Sequence, residues 1–465
     1  VRDPAYVAFS DPSLYKGLRV TVMGWGRFGG NASAARFLAE QGAQVTVTDL
    51  KPPEAFPPLP TDFPCQWVFG GHRQEDFDRA DVILVSPAVP PHSPFLRKAV
   101  QAGSLLDTEM NLFLRLCKAH KIVGITGSNG KSTTTSLVAA MAAEGAFSAH
   151  CGGNVGRSLL EEWEGIGADD VVVLELSSFQ IERMTEAGLG VWGALLLNLK
   201  PNHLDWHGSW EAYRDAKAGL LETVDPSGWV LLNGRDPELL QCAFRSRVRV
   251  HRFGREPSCL SWTDGERVWC GEEGAHQELC EGKEIALRGR HNLDNVAAAA
   301  GASVLIGADL SSIREAVLKF VPLPHRLEPC GERGGVLWVN DSVSTTPESA
   351  LAALEAFQEP IHLILGGKDK GLGTLELVKA VSERCKRVVL IGAMAEALQE
   401  ELRREGCAGE RCRVCATLPE AVSLSSKDAL PGDVVLFSPG FSSYDMFLNF
   451  EERGESFKRA VAALR

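Results

Sequence analysis

The chain has no apolar run that approaches the ~18 residues needed to span a bilayer, so nothing in it reads as a membrane-embedded segment. It also lacks an excess of positive charge: 48 Lys and Arg stand against 60 Asp and Glu, a net charge of −12. A nucleic-acid backbone is normally met by a basic face, so that partner is not expected. Anionic small molecules can still be held by local sites. The opening VRDPAYVAFSDP has no basic start followed by an apolar core, so no secretory signal is expected and the cytoplasm is the expected compartment. No internal repeat or low-complexity tract stands out. The twelve cysteines are scattered. Cys407, Cys412 and Cys415 cluster as C-x4-C-x2-C, but no fourth ligand or redox fold accompanies them, so free thiols without a role are expected.

What is present is ample core material. At 465 residues with 45% hydrophobic composition, the chain predicts about three domains of roughly 150 residues each. The first, 1–109, opens with LRVTVMGWGRFGG, a helical NASAARFLAEQG and AQVTVTDLK: strand, glycine turn, helix, strand. Gly24, Gly26 and Gly29 satisfy G-x-G-x-x-G, and Asp49 follows Gly29 by 20 positions, the spacing of a dinucleotide fingerprint. Taken alone this predicts an NAD-dependent oxidoreductase. A further buried strand in RADVILVSPAVP ends at Ser86, and an adenine or uridine nucleotide could use the same turn, so the pattern marks a nucleotide site without naming its tenant. The middle domain, 110–322, is predicted as a parallel sheet of the phosphate-loop ATPase type. Runs such as GWVLLN and RVRVHRFG, broken by Gly, Asp and Pro, predict a small antiparallel patch appended to it. After a linker marked by Pro322 and Pro324, the segment 323–465 alternates strands and helices as a second Rossmann-like α/β unit. Three α/β domains in sequence is the expected architecture.

The stretch GITGSNGKSTTT carries the first chemistry. G-x-x-x-x-G-K-[ST] requires a glycine five positions before Gly130, and Ile125 stands there, so the match is partial. The mechanism survives the mismatch. KIVGIT reads as a buried strand and STTTSLVAAMAAEG as a helix, and the turn between them makes an anion cradle of backbone N–H groups. Lys131 adds a point charge, and Ser132 places a hydroxyl where Mg²⁺ would sit. Glu175 ends the apolar strand of DDVVVLELSSFQIE, where ligands of open α/β sheets collect and where a hard cation finds a carboxylate. His203 follows a third strand of the same sheet, whereas His207 reads as structural. Lys217, within YRDAKAGLL, would by spacing alone be a solvated helix residue.

Taken in order, TGSNGKST, ELSSFQ, NHLDWHGS, YRDAK, GRHNLDNVAAA, HRLE, NDS, LGGKDKG and SPGFSSYDMFLNFEERG closely resemble the Mur ligases of bacterial cell-wall synthesis, and within them those that add glutamate. The resemblance spans nearly the whole chain. It implies an ATP-dependent amide ligase: ATP phosphorylates the terminal carboxylate of a UDP-linked N-acetylmuramoyl-L-alanine, and the amino group of D-glutamate attacks the acyl phosphate. The shortened glycine pattern is the form these ligases use. Gly127, Ser128, Asn129, Gly130, Lys131, Ser132 and Thr133 would then bind the phosphates of ATP. Ser132 and Glu175 would hold one Mg²⁺, and His203 with a carbamylated Lys217 a second. Lys131, Glu175, His203 and Lys217 would be the catalytic set. Asn292 and Asn295 would lie on the adenine side, with Arg326 and Asp341 reaching the nucleotide from the third domain. The first domain would bind UDP and not NAD, through Arg27, Phe28, Gly29, Asp49 and Ser86, with Asn154 and Gln180 on the sugar side. Glutamate would be met by Thr345, Lys370, Ser443 and Phe450. Closure of the three domains would keep the acyl phosphate from water. One departure stands out: many D-glutamate ligases have lysine after NDS, and this chain has Val343, which leaves an L-glutamate-adding sister as the alternative. A nucleotide-binding regulator without catalysis and an oxidoreductase are the alternatives of other classes. The expected partners are small molecules, with neither nucleic acid nor membrane among them, and the expected state is a monomer.

Overall fold

The structure, a computed structural model, describes residues 6–464 apart from 9, 27–28, 57–58, 61, 88, 91, 155–156 and 273. The chain divides into two compact units. One runs through Asp264 and takes in Val268–Leu279 and Asn295–Val317; the other comprises Gly265–Arg267, Cys280–Asp294 and the chain from Leu318 onward. Among the described residues three sheets organise them, of five, nine and six strands.

The five-stranded sheet runs, in spatial order, Gln66–Phe69, Gln44–Asp49, Arg19–Met23, Val82–Val85 and Leu105–Asp107. Its four pairings are all parallel. Val20, Val22, Val82, Ile83, Leu84 and Val85 are buried on both faces, which is why the sequence reads as continuous β-branched runs and not as alternation. The strand order reverses between Arg19–Met23 and Val82–Val85, so the glycine turn after Met23 and Ser86 after Val85 lie together at a topological switch point.

The nine-stranded sheet holds the strands that precede each predicted catalytic residue. Lys121–Thr126 lies between Val171–Glu175 and Val191–Leu196, parallel to both, with Ile125 opposite Glu175 and Thr126 opposite Leu196. Three carboxyl ends therefore open onto one place. Ala149–Gly153 closes one edge, beside Val171–Glu175. On the other side the expected antiparallel patch is present but starts later than GWVLLN and RVRVHRFG suggested. Val224–Asn233 and Val250–Gly254 continue the sheet in parallel, as does Ser261–Thr263. The chain first turns back at Ser261–Thr263 against Arg267–Cys270. The reason lies in the connection after Asn233, which contains the helix Pro237–Cys242 and so supplies the crossover that a parallel pair requires.

The six-stranded sheet lies in the second unit, in the order Glu328–Arg333, Val336–Asn340, Val434–Phe437, Ile361–Gly366, Cys385–Ile391 and Cys412–Val414. Every pairing is parallel except the first. Cys385, Cys407 and Cys412 are buried in its core and Cys415 is half-buried; all four are free thiols. Among the described residues no helix is long and apolar enough to cross a membrane.

Candidate active site

The turn between the strand Lys121–Thr126 and the helix Lys131–Glu144 is a built anion cradle. Gly130 caps the helix in the left-handed conformation, φ 84°, and a Cβ there would fall on the side-chain oxygen of Asn295. Glycine is required on both counts. The first-turn amides of Lys131, Ser132 and Thr133 have no intrahelical acceptor, so they face the cradle as donors. Lys131 folds back over the loop and donates to the carbonyls of Gly127 and Ser128, both at 3.0 Å. Those carbonyls are neutral, and a phosphate would compete for the ammonium with full charge. Asn295, expected on the adenine side, packs directly against Gly130, at the phosphate end of the site.

Glu175 is 2% exposed at the end of its strand. Its Oε1 accepts from Asn154 Nδ2 at 2.9 Å, while its Oε2 is buried without a hydrogen-bond partner. Gly153, φ 98°, makes this approach possible, because a Cβ there would strike the Glu175 carbonyl. Asn154, expected near a sugar, thus holds the carboxylate. A buried carboxylate oxygen with no donor costs free energy unless a cation completes it, so the site fits a hard divalent ion. Among the described residues no cluster of three His, Cys, Asp or Glu side chains forms a metal cage by itself. A cation here would draw part of its shell from a phosphate-bearing ligand.

Lys217 lies in the helix Trp210–Ala218 and is 2% exposed. Its amine donates to Thr126 Oγ1 at 3.1 Å and stands 5.2 Å from the centre of the Tyr213 ring. Burial drives its pKa well below the ordinary lysine value; the charge of Lys131 pushes the same way and Glu175 opposes. The buried face of that helix is therefore part of the site, and not the solvated face that spacing alone suggests. His203 is exposed, in a left-handed conformation at φ 51°, with its ring 5.0 Å from Phe179 and 6.4 Å from Tyr213. The His207 side chain is buried, stacks on Phe179 and pairs with Ser178 Oγ at 2.9 Å, a packing role.

At the glycine turn of the five-stranded sheet, Asp49 accepts from the amides of Trp25 and Lys51, each at 2.9 Å. Both its oxygens are engaged in shaping the turn. Gly29, φ 81°, caps the helix Gly30–Glu40. Ser86 packs under Gly24, its Cβ 3.1 Å from where a Gly24 Cβ would stand. Arg27 and Phe28 lie outside the described residues. Gln180 closes the capping box of the helix Ser178–Glu186, its Oε1 accepting from Ser177 N at 3.0 Å and Ser177 Oγ at 2.8 Å.

The second unit carries the remaining expected residues. Asn292 is buried and donates to the carbonyl of Arg288 at 2.7 Å. Asp341 is buried beneath Ser438 Oγ, which donates at 2.8 Å, and the amide of Leu327, at 3.1 Å; burial pushes its carboxyl up to about 6 despite these donors and the charge of Arg326. Lys370, exposed on its loop, donates to Thr345 Oγ1 at 3.0 Å, and partial desolvation of its ammonium by the surrounding chain lowers its pKa. Ser443 is buried in the loop that leads to Phe450, whose carbonyl accepts from Ser342 Oγ at 2.8 Å.

Three residues escape the sequence reading. Tyr213 precedes Lys217 by four, a spacing that puts both on one helix face and could have signalled it. Asn198 is a lone amide at the end of an apolar run. Arg453 has no such signal: it reads as a charge on the surface of the helix Phe450–Ala462, yet it is 1% exposed. It donates to Ser342 Oγ at 3.1 Å, the Ser342 carbonyl at 2.8 Å and the Phe441 carbonyl at 3.0 Å, tying together the loops that hold Thr345 and Ser443.

Comparison with known proteins accords with this geometry. Residues 18–106 match the Mur ligase MurD-like N-terminal domain, 125–303 the Mur ligase middle domain, and 325–441 the Mur ligase glutamate ligase domain. The chain is 40% identical to the UDP-N-acetylmuramoylalanine–D-glutamate ligase of Roseiflexus sp. (strain RS-1), over 96% of this chain and 98% of that protein. It is 37% identical to the same-named ligase of Symbiobacterium thermophilum, over 96% and 98%. Among solved structures, the fold matches the UDP-N-acetylmuramate–alanine ligase of Thermotoga maritima with a TM-score of 0.62 at 18% identity, covering 96% of this chain and 99% of that one. The MurF ligase of Thermotoga maritima in complex with ADP matches with a TM-score of 0.59 at 17% identity, covering 99% and 98%.

Proposed function

This chain belongs to the Mur ligase family of ATP-dependent ligases, and from that premise we propose that it joins D-glutamate to UDP-N-acetylmuramoyl-L-alanine, releasing ADP and phosphate. The observation that carries the reading is the orphaned Oε2 of Glu175 beside a phosphate cradle and a buried lysine. The names of the relatives from Roseiflexus and Symbiobacterium supply the substrate.

The chemistry follows from the residues. Lys131 exchanges two neutral carbonyls for the β- and γ-phosphates, and the first-turn amides of its helix hold the same anion. Ser132 and Glu175 would hold Mg²⁺ on the nucleotide, and His203 with Lys217 a second ion. Such ions neutralise the oxygens of the transferring phosphoryl group. The substrate carboxylate oxygen bonds to the γ-phosphorus as the bond to the ADP oxygen breaks. The glutamate nitrogen then bonds to the acyl carbon, phosphate leaves, and the nitrogen gives up a proton.

Lys217 acts as a carbamate. Its depressed pKa keeps a share of free amine, whose lone pair bonds to CO₂ with loss of a proton. A buried cation thereby becomes an anionic oxygen ligand. The five-stranded sheet binds the UDP moiety at its glycine turn, and the loops tied by Arg453 bind glutamate through Thr345, Lys370, Ser443 and Phe450.

The domain limits we propose are 1–109, 110–322 and 323–465. Val343, half-buried after Asn340, Asp341 and Ser342, puts an uncharged side chain where many D-glutamate ligases would carry lysine. The test is therefore phosphate release from ATP and Mg²⁺ with UDP-N-acetylmuramoyl-L-alanine, run with D-glutamate and with L-glutamate in parallel. Release with D-glutamate alone is expected. Release with L-glutamate alone would transfer the protein to the sister activity, and no release with either would refute the ligase reading.

A further inference from the structure

The segment after the strand Val191–Leu196 runs alongside the phosphate loop and grips it residue by residue. Leu197 N donates to the Thr126 carbonyl at 2.9 Å, and Ser128 N donates to the Asn198 carbonyl at 3.0 Å. The Asn198 side chain then takes both polar groups of one peptide residue: its Oδ1 accepts from Asn129 N at 2.9 Å, and its Nδ2 donates to Asn129 O at 3.0 Å. A side-chain amide is shaped for this two-point match, and no other residue of that size offers one donor and one acceptor in the same plane.

Ser128 is held a second way. Its Oγ accepts from Lys200 N at 2.8 Å and donates its single proton to the Lys200 carbonyl at 2.9 Å. The hydroxyl of Tyr213 lies 3.0 Å from the same Oγ. With the serine proton already placed, the tyrosine must be the donor of that bond. Burial raises the Tyr213 pKa, which keeps the proton on it. Tyr213 is 1% exposed, and its ring also faces the Lys217 amine, so one rigid side chain spans the loop and the buried lysine.

We infer that Asn198 and Tyr213 are positioning residues that fix the phosphate loop in its anion-accepting shape before nucleotide arrives. Neither touches the reacting atoms. With Ser128 and Asn129 consumed by the neighbouring segment, the turn at Gly130 is held and the amides of Lys131, Ser132 and Thr133 stay directed at the cradle. ATP then meets a formed site and pays no ordering entropy for the loop. The inference rests on the reading of this loop as the ATP site.

The test uses the full chain with Asn198→Ala, Asn198→Leu and Tyr213→Phe. Calorimetric ATP affinity, affinity for the UDP-linked substrate, and hydrogen exchange of the amides of Ser128 and Asn129 without nucleotide are measured for each. Wild type should protect both amides. Both Asn198 variants should lose protection at Asn129 and bind ATP about tenfold or more weakly, and Tyr213→Phe should weaken ATP binding by a smaller factor while leaving Asn129 protected. Affinity for the UDP-linked substrate should not move, which a general loss of fold would not allow. Wild-type ATP affinity in the Asn198 variants, or rapid exchange at Asn129 already in wild type, overturns the inference. A wild-type chain that binds no ATP overturns the reading of the site and this inference with it.

Discussion

Asn154 and Glu175 are joined by a single hydrogen bond of 2.9 Å that satisfies one carboxylate oxygen and leaves the other buried and bare. The edge strand Ala149–Gly153 delivers the amide, the central strand delivers the acid, and the unsatisfied oxygen is left for a cation. Glu175→Gln keeps the shape and removes the charge. Phosphate release should fall on the order of 10²-fold or more, with the melting temperature unchanged or raised. Calorimetry and a phosphate-release assay on the same preparation check both halves.

Lys217 makes stability depend on pH in a defined direction. Its folded pKa lies below 10.5, so between the two values the unfolded chain holds more protons and stability rises with pH. Below that window the buried charge costs its full amount. Lys217→Met should therefore melt higher than wild type at neutral pH in CO₂-free buffer, with the gap closing as the pH approaches 10.5. The same variant should be nearly inactive. Activity of Lys217→Ala should recover in part with short carboxylic acids; no recovery would count against the carbamate.

Asp341 acts in the opposite sense. Its carboxyl, raised to about 6, holds a proton in the folded chain where the unfolded chain has lost it. Stability from this group is full below about 3.8 and is lost as the pH rises through about 6. Asp341→Asn should remove that slope, which melting curves between pH 4 and 7 would reveal as a difference from wild type that changes across the window.

Gly130→Ala should be costly twice. The left-handed backbone penalises any Cβ by about 1–2 kcal/mol, and this Cβ would displace Asn295. A drop in melting temperature is expected together with loss of ATP binding, while titration of the UDP-linked substrate should stay near wild type.

Arg453→Lys retains the charge and loses the fork that reaches Ser342 and Phe441 at once. The KM for glutamate should rise about tenfold or more, with the KM for the UDP-linked substrate unchanged. Equal rises in both would assign Arg453 to general stability.

Much of this architecture is local in origin and so was legible in the chain. KIVGIT is a strand with the bounds 121–126, and the helix after it starts at Lys131, one residue before the reading. Those elements follow from β-branched runs, glycine turns and an Ala-rich helix, which act over a few residues. The position of Glu175 at a strand end follows in the same way. What neighbours in sequence could not determine is which donors and charges meet across strands. That Glu175 keeps one oxygen bare depends on Asn154 arriving from another strand, 21 residues away. The buried state of Lys217 depends on Thr126, and that of Arg453 on two loops 111 and 12 residues distant. The direction of the strand Val250–Gly254 was likewise decided by the crossover helix before it, since a short apolar run reads the same in either direction. Residue types set the elements because local sterics and periodicity suffice for them; tertiary structure decided solvation, and with it charge state and chemistry, because burial is a property of everything that packs around a group.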